Sequence, residues 1–412
     1  MTRCTFALID KTGSMDSAFQ QLTDRVRAAA ASGTPLRIRG GGSKDFYGQS
    51  LQGELLDTTS LRGITSYEPS ELVVTARAGT PLRELEAALA EQGQCLPFEP
   101  PHFDLCGEGQ ATVGGMVAAG LSGPARASVG GVRDYMLGVQ LLNGRAEHLT
   151  FGGQVMKNVA GYDVSRLMAG SMGTLGLITE VSLKVLPVAP AEATLVFEMD
   201  QAQALAQLHR WGGQPLPLNA SCWVPDHAPR PDATGNDAVD RSGRKADRMG
   251  RLYVRLRGAI AAVESASKSM AQQAAGTRVD NAVAAPDWQA CRDLQLPFFS
   301  NPPQPDMSLW RLSVAQTAPP FHLPWPQLVE WHGGLRWLWA PLDAAARVRD
   351  VATQAGGNAS VFVANYSYPT MATGQFNEFS GLNSPLDAIH RRLKAEFDPA
   401  GIFNRGRLFA DM

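Results

Sequence analysis

The sequence predicts an α+β protein. A glycine-rich first unit spans residues 1–190, a second α+β layer spans residues 191–383, and a closing segment, residues 384–412, returns to the first unit. Three observations predict it. Glycine clusters recur between apolar runs at Thr112–Gly120, Ser128–Asp134 and Gly170–Thr179. A proline-marked break at Pro187–Ala191 then gives way to a steady alternation of strand-like and helix-like patterns, which suits a layered α+β unit. Finally, a helix carrying Leu386, Ile389, Leu393 and Phe397 on one face stops at Pro399 and Gly401 and leads into a short tail.

The elements of the first unit follow in order. Phe19, Leu22 and Val26 recur at helical spacing between Ser17 and Ser32, and Gly33 ends that helix. Pro35–Arg39 is a short strand that runs directly into Arg39-Gly40-Gly41-Gly42-Ser43-Lys44. Glu54–Thr58 and Glu71–Ala78 are strand-like, and a helix from Pro81 to Glu91 starts with proline at a favourable first position. Leu96–Phe103 is a loop stiffened by three prolines, placed to lie over a ligand. Its His102 has the chemistry of a base, although a lone histidine in such a loop is more often structural. Thr112 caps a glycine-containing helix, Tyr135–Leu142 and His148–Phe151 form a hairpin about Asn143-Gly144, Tyr162–Met168 is helical, and Leu177–Leu186 is a strand halted by Pro187.

In the second unit the strands are Ala193–Met199, Ala220–Val224, Arg251–Arg257, Trp310–Ala315, Pro326–Trp331, Leu335–Ala340 and Ser360–Ala364. The helices are Gln201–Trp211, Ala259–Gln273 and Asp343–Gln354. Asp226–Gly250 is poor in apolar residues and reads as an exposed excursion. Trp325, Trp331, Trp337 and Trp339 cluster here; they read as core, with an aromatic partner surface as the alternative.

Composition excludes several classes of function. The 412 residues carry 37 basic and 39 acidic side chains, so no electrostatic grip on nucleic acid is expected. The odd, scattered set Cys4, Cys95, Cys106, Cys222 and Cys291 contains no paired spacing for zinc or an iron–sulfur cluster, and it suits a reducing compartment. Seven dispersed histidines supply no metal-ligand spacing, so no metal site is expected. Met1–Lys11 has no signal-peptide pattern, no run reaches transmembrane length, and a cytoplasmic protein is expected.

The candidate binding residues follow from backbone chemistry. Three consecutive glycines between a strand and a Ser-Lys pair can turn successive N–H groups inward as an anion-binding nest. Thr112, Gly114 and Gly115 place main-chain amides at a helix start, where an anion is also favoured. The pattern is neither a Walker loop nor the GxGxxG of a Rossmann turn. A bound dinucleotide and a set of tight surface turns both fit these stretches taken singly.

Taken together, Arg39–Lys44, Thr112–Gly115, Gly170–Thr179 and Asp398–Gly406 resemble, in order and spacing, the FAD-binding fold of the vanillyl-alcohol oxidase and D-lactate dehydrogenase family. Gly153–Leu167 is similar to the FAD-binding E subunits of bacterial glycolate oxidases. The resemblance implies a two-subdomain, PCMH-type FAD-binding domain with an α+β cap. It places Gly40, Gly41, Gly42, Ser43 and Lys44 at the pyrophosphate, with Thr112, Gly114 and Gly115 admitting its backbone approach and Gly173, Ile178 and Thr179 along the cofactor. Asn404 stands where the family's closing Asn-Pro-Gly stands, with Arg405 in place of the proline. Ser43 occupies the position nearest to the histidine of covalent members, which implies non-covalent FAD.

Oxidising a 2-hydroxy acid needs a cation for the carboxylate and a base for the hydroxyl proton. The histidine motifs that stand-alone D-2-hydroxy-acid dehydrogenases of the family carry in the cap are absent, and no catalytic residue is assigned. The resemblance therefore implies a subunit auxiliary to a longer FAD-containing catalytic subunit and an iron–sulfur subunit, acting on a small 2-hydroxy acid, glycolate, and peripheral at the inner membrane through that complex. A self-sufficient FAD-dependent 2-hydroxy-acid dehydrogenase and a non-redox scaffold are the alternatives.

Overall fold

The computed structural model describes residues 12–49, 52–103, 110–153, 163–226, 249–364 and 384–409. The glycolate-oxidase-like stretch from Gln154 to Tyr162, nearly all of the excursion between Asp226 and Gly250, and Cys4 and Cys106 lie outside the described residues.

The first unit contains α1 (Thr12–Ser32), β1 (Leu36–Arg39), β2 (Glu54–Asp57), β3 (Ile64–Glu68), β4 (Val73–Arg77), α2 (Leu82–Glu91), β5 (Gln94–Cys95), α3 (Val113–Ala119), α4 (Arg126–Val129), α5 (Val132–Tyr135), β6 (Met136–Leu142), β7 (His148–Gly152), α6 (Val164–Leu167), β8 (Leu177–Lys184) and β9 (Leu186–Pro187). Five strands form an antiparallel sheet in the order β3-β4-β8-β6-β7. Leu82, Leu85 and Leu89 of α2 share one helical face by their spacing, and with Val113, Met116 and Val117 of α3 they bury against Val74, Val181 and Leu183 of the sheet. The strand β3 escapes the sequence reading because it is a half-exposed edge with few apolar side chains. The β6–β7 hairpin pairs Leu142 with His148, so five residues connect the strands. Asn143 does not form a two-residue turn; its buried side chain accepts from the amides of Arg145 and Glu147, both at 2.9 Å, and organises the longer loop from inside.

The pair β1–β2 is parallel, with Leu36 opposite Glu54. Parallel neighbours cannot be joined by a tight turn, so the chain must leave the end of β1 and travel back to the start of β2. The glycine loop is that return path. α1 covers the pair through Leu22, Val26 and Ala29.

The second layer holds β10 (Ala191–Asp200), α7 (Gln201–Gly212), β11 (Leu218–Pro225), β12 (Met249–Gly258), α8 (Ile260–Ala274), β13 (Thr277–Val279), α9 (Asn281–Arg292), α10 (Pro297–Ser300), β14 (Met307–Ser313), β15 (Gln327–Glu330), β16 (Leu335–Pro341), α11 (Ala345–Gln354) and β17 (Asn358–Val363). One antiparallel sheet orders them β13-β10-β12-β11-β15-β16-β14-β17. Its first half is a split βαβ unit, and the second half repeats the strand order with a loop in place of the first helix. The halves meet at β11–β15, where Cys222 faces Glu330 and Trp223 faces Val329. α9 carries Pro286 inside it, which explains why its helical pattern is not legible in the sequence.

One face of the big sheet packs on α7, α8 and α11, and the opposite face turns toward the first unit. Trp331, Trp337 and Trp339 are buried in that second interface with Phe103, Leu121 and Met172 of the first unit, so they are core. Glu99 crosses between the units to Arg255 at 2.6 Å and Arg257 at 2.8 Å. Burial works against its charge, but the two guanidiniums hold its carboxyl below the ordinary carboxylate range.

The closing helix α12 (Ser384–Phe397) returns to the first unit. Only its second half packs as the periodicity predicts: Leu393 and Phe397 rest on the first core, while Leu386 and Ile389 are about half exposed, at 47% and 52%. Beyond it, buried Asp398 accepts from the Lys394 ammonium at 2.7 Å and from the amides of Ile402 and Phe403 at 3.0 and 2.8 Å. Removing one partner of such a buried ion pair strands the other, so Asp398→Ala should cost about 3–5 kcal/mol of unfolding free energy by denaturant titration. A loss under about 1 kcal/mol would show that the tail is not anchored this way.

Candidate functional site

A cleft enclosing about 780 Å³ of open space lies where the β1–β2 crossover, the start of α3, the Gly170–Gly176 loop and the chain's tail converge. Gly40, Gly41, Gly42, Ser43, Lys44, Thr112, Gly114, Gly115, Gly173, Ile178 and Asn404 all line it. Thr179 does not. Successive side chains of β8 point to opposite faces. Ile178 therefore faces the cleft, while the Thr179 hydroxyl lies 3.2 Å from His148 Nε2 on the other side.

The amides of the two glycine stretches differ in what they offer. At the start of α3 they are already engaged: Val113 donates to the Thr80 carbonyl, Gly114 to that of Ala78, and Gly115 to Thr112 Oγ1. This corrects the expectation of bare amides at the helix start. Along Gly40–Lys44, no oxygen of the described residues accepts from any of the five amides. The anion-binding capacity therefore sits in the crossover loop. Glycine is obligatory there for packing: a Cβ on Gly41 would overlap the Gln110 carbonyl, and one on Gly114 would come within 2.6 Å of Ala78 Cβ.

Lys44 adds a charge. Its ammonium donates to Ser43 Oγ at 3.2 Å and lies 5.5 Å from the centre of the Phe103 ring. Burial pulls its pKa down to about 8, against the opposing attraction of Asp293. The lysine is thus protonated at neutral pH and incompletely solvated, which strengthens its pull on an anion. Arg39 is paired with Asp45 at 2.6 Å, outside this role.

Asn404 and Arg407, from the tail, position the loops. Asn404 Oδ1 accepts from the Ile38 amide at 2.8 Å, and its Nδ2 donates to the Met172 carbonyl at 2.7 Å. It holds φ +43°, a conformation that asparagine tolerates better than most residues. Arg407, buried, donates to the carbonyls of Gln49 and Lys44, both at 3.0 Å. The sequence reading did not select Arg407; its only signal was its place two residues after Arg405 in a tail rich in Gly, Asn and Arg. In the position of the family's proline, Arg405 donates to the carbonyls of Ala400 and Gly401 and caps the closing turn.

His102 is buried, with Nε2 2.8 Å from Glu86 and its amide donating to Asp293, so it braces the proline loop away from the cleft. A wider hollow of about 1130 Å³ beside α9 is lined mainly by apolar and aromatic side chains and offers no amide cluster. Among the described residues no group of three or more His, Cys, Asp or Glu is placed to hold a metal, and no helix is long and apolar enough to cross a membrane.

The cleft's chemistry fits a flavin dinucleotide. Five unengaged amides and an ammonium suit a pyrophosphate, and Ile38, Ala118, Ala119, Met172 and Ile178 give apolar walls for ring systems.

At the seam of the large sheet, Glu330 is buried and accepts from Trp337 Nε1 at 2.8 Å. Burial lifts its pKa to about 7, against the opposing pull of Trp337, Cys291 and Arg311. Between its ordinary value and 7 the folded chain holds a proton that the unfolded chain has released, so stability falls as pH rises through this window and levels off above it. Glu330→Gln should flatten that slope, stabilising the protein at pH 8 by about 2–3 kcal/mol more than at pH 4.5. Parallel unfolding curves for the two proteins across pH 4.5–8 would exclude this.

Comparison with known proteins agrees with this geometry. The FAD binding domain family matches residues 19–164. The chain is 41% identical over 393 residues to glycolate oxidase subunit GlcE of Escherichia coli, covering 95% of this chain and 98% of that one. It is 32% identical over 151 residues to D-lactate dehydrogenase of Anaerostipes hadrus and 29% identical over 144 residues to glycolate oxidase subunit GlcD of Bacillus subtilis. Those matches cover 37% and 35% of this chain and 30% of each relative. The solved structure of an alkyldihydroxyacetonephosphate synthase superposes with a TM-score of 0.62 at 16% identity, over 93% of this chain and 75% of the other, which shows a shared fold. Near-complete coverage at this identity, joined to the FAD-domain match and the amide-lined cleft, makes the chain a member of the glycolate oxidase GlcE-type family of FAD-dependent oxidoreductase subunits, with FAD as its cofactor.

Proposed function

We propose that the cleft holds FAD non-covalently and that the chain serves a glycolate-oxidising complex as its auxiliary flavin-carrying subunit. The observation that carries the binding mode is the run of five amides from Gly40 to Lys44 without an acceptor among the described residues, in a stretch that lines the same cleft as Lys44 itself. These groups, with the Ser43 hydroxyl, would take the pyrophosphate; Gly114, Gly115 and Gly173 would let main chain approach it; Ile178 and Met172 would pack on the ring system. Asn404 keeps the two walls at a fixed separation. Bound FAD supplies the two-electron acceptor for oxidation of a hydroxy acid to the oxo acid.

The auxiliary role rests on what the cleft's own side chains can do with a proton. Among the described residues no histidine lines it, its one carboxylate, Asp45, is paired with Arg39, and its lysine is better suited to holding an anion than to removing a hydroxyl proton. The conversion of glycolate to glyoxylate would then take place in a longer flavoprotein subunit, with an iron–sulfur subunit receiving the electrons. The relatives named GlcE and GlcD support this division. Cytoplasmic placement, peripheral to the inner membrane through that complex, follows from the same proposal.

The full chain purified alone should be yellow, and glycolate alone should leave its flavin spectrum unchanged. A colourless protein counts against the flavin reading, and sustained glycolate turnover by the isolated chain counts against the auxiliary one. Gly41→Val should weaken FAD binding by at least tenfold, about 1.4 kcal/mol, while cooperative unfolding persists. Because Lys44 must be protonated to attract the pyrophosphate, FAD affinity should fall by up to about tenfold per pH unit above 8 in the native protein. It should change little with pH in Lys44→Met. Equal pH profiles would remove Lys44 from the site.

A further inference from the structure

The hollow beside α9, with about 1130 Å³ of open space, is built from two facing surfaces of the cap. On α9, Ala284, Asp287, Trp288 and Cys291 recur at the i, i+3, i+4, i+7 spacing that places side chains on one helical face. On the sheet, Cys222 pairs with Tyr253 and Val224 with Arg251, alternate positions whose side chains share a face. Thr194 of β10 lies on the same side, and all of these residues line the hollow. The space exists because short side chains occupy both surfaces: Ala284 and Cys291 on the helix, Thr194 and Cys222 on the sheet. Protein interiors seldom leave such room.

The walls are held by bonds of their own. The Trp288 indole N–H donates to Thr194 Oγ1 at 2.9 Å and braces α9 against β10. Phe298 forms another wall, and its carbonyl accepts from Trp339 Nε1 at 2.7 Å. The hollow is therefore shaped in advance, which lowers the ordering cost of filling it. Cys291 also borders a narrow space between the units, with Ser122, Arg311 and Trp331, that has room for little more than water.

Little polar capacity remains inside. The Cys222 and Cys291 thiols share a hydrogen bond, which raises the pKa of Cys291 and opposes the rise that burial gives Cys222, so both stay protonated and uncharged. Among the described residues the charged side chains that line the hollow, Asp226, Arg251 and Asp287, are all exposed and mark its mouth. Arg251 is already hydrogen-bonded to Tyr253 and lies in the field of Asp226. A charged ligand drawn into this lining would lose its hydration and gain no partner. Water fills it poorly, because a buried water needs several polar neighbours. An apolar ring loses little on entry and buries its surface against Trp288, Tyr253 and Phe298.

We propose that this hollow is a second ligand site, taking one uncharged, ring-containing apolar molecule whose ring lies against Trp288 and Phe298. The proposal is independent of the flavin reading, because no residue that lines the hollow also lines the cleft.

The test is fluorescence titration of the full chain with N-phenyl-1-naphthylamine, an uncharged aromatic probe, against 8-anilino-1-naphthalenesulfonate, which carries the same rings and a sulfonate. Flavin absorbance is recorded in parallel, so loss of FAD and loss of probe binding are scored separately. The uncharged probe should saturate at one per chain, bind at least about tenfold tighter than the sulfonate, and not weaken as sodium chloride is added. Ala284→Phe fills the hollow from the helix side and should weaken binding by at least about tenfold. Val224→Trp should do the same from the sheet side, at a half-buried position where a larger side chain disturbs the fold less. Denaturant titration checks that each variant unfolds cooperatively, and if Ala284→Phe does not fold, Val224→Trp decides. Absence of saturation, an unchanged dissociation constant in the folded variants, tighter binding of the sulfonate, or release of FAD by the probe would each overturn the proposal.

Discussion

The architecture of the cleft depends on one side chain amide. Asn404 accepts from Ile38 at the end of β1 and donates to Met172 in the loop before β8, joining segments that the chain supplies more than a hundred residues apart. Around it the tail repeats the same device. The Leu36 amide donates to Ile402, Asn404 donates back to Leu36, and Lys394 reaches the carbonyls of Thr174 and Phe403. Each bond satisfies a main-chain group that would otherwise be costly to bury. Together they hold the glycine crossover and the Gly170–Gly176 loop a ligand's width apart.

The same logic divides labour between the glycine stretches. Gly114 donates to Ala78, and its lack of a side chain lets α3 sit directly on β4's following turn. The crossover loop, by contrast, is the return path of a parallel strand pair, and among the described residues no oxygen accepts from its amides at Gly40–Lys44. One cluster closes the domain against itself, and the other faces outward. Glycine is needed for close packing at both, since a Cβ on Gly41 would overlap the Gln110 carbonyl; what separates them is whether the amides are engaged, and that cannot be drawn from composition.

Between the units, charge and aromatic packing work at the same surface. Glu99, with φ +49°, bridges to two arginines of β12, and close by Phe103, Leu121 and Met172 enter a core built mainly of apolar cap residues, four tryptophans among them. Buried ion pairs contribute orientation more dependably than net stability. Glu99 therefore fixes which way the cap sheet faces, while the apolar cluster supplies most of the attraction.

By itself the sequence determined the α+β class, most strands and helices, and three of the backbone stretches that line the cleft. These are written in local terms: periodicity, proline and glycine placement, and the Ser-Lys pair after three glycines. Only the tertiary structure decided that Thr179 turns away, since its side depends on the register of β8 against its neighbours. The same is true of the proline-bearing α9 and the edge strand β3, whose local signals are weak, and of the meeting of Arg311, Trp331 and Ser122 at one pocket. Residues brought together from the loop after α3, β14 and the turn after β15 share no spacing in the chain, because their proximity follows from the packing of two sheets and not from any local preference.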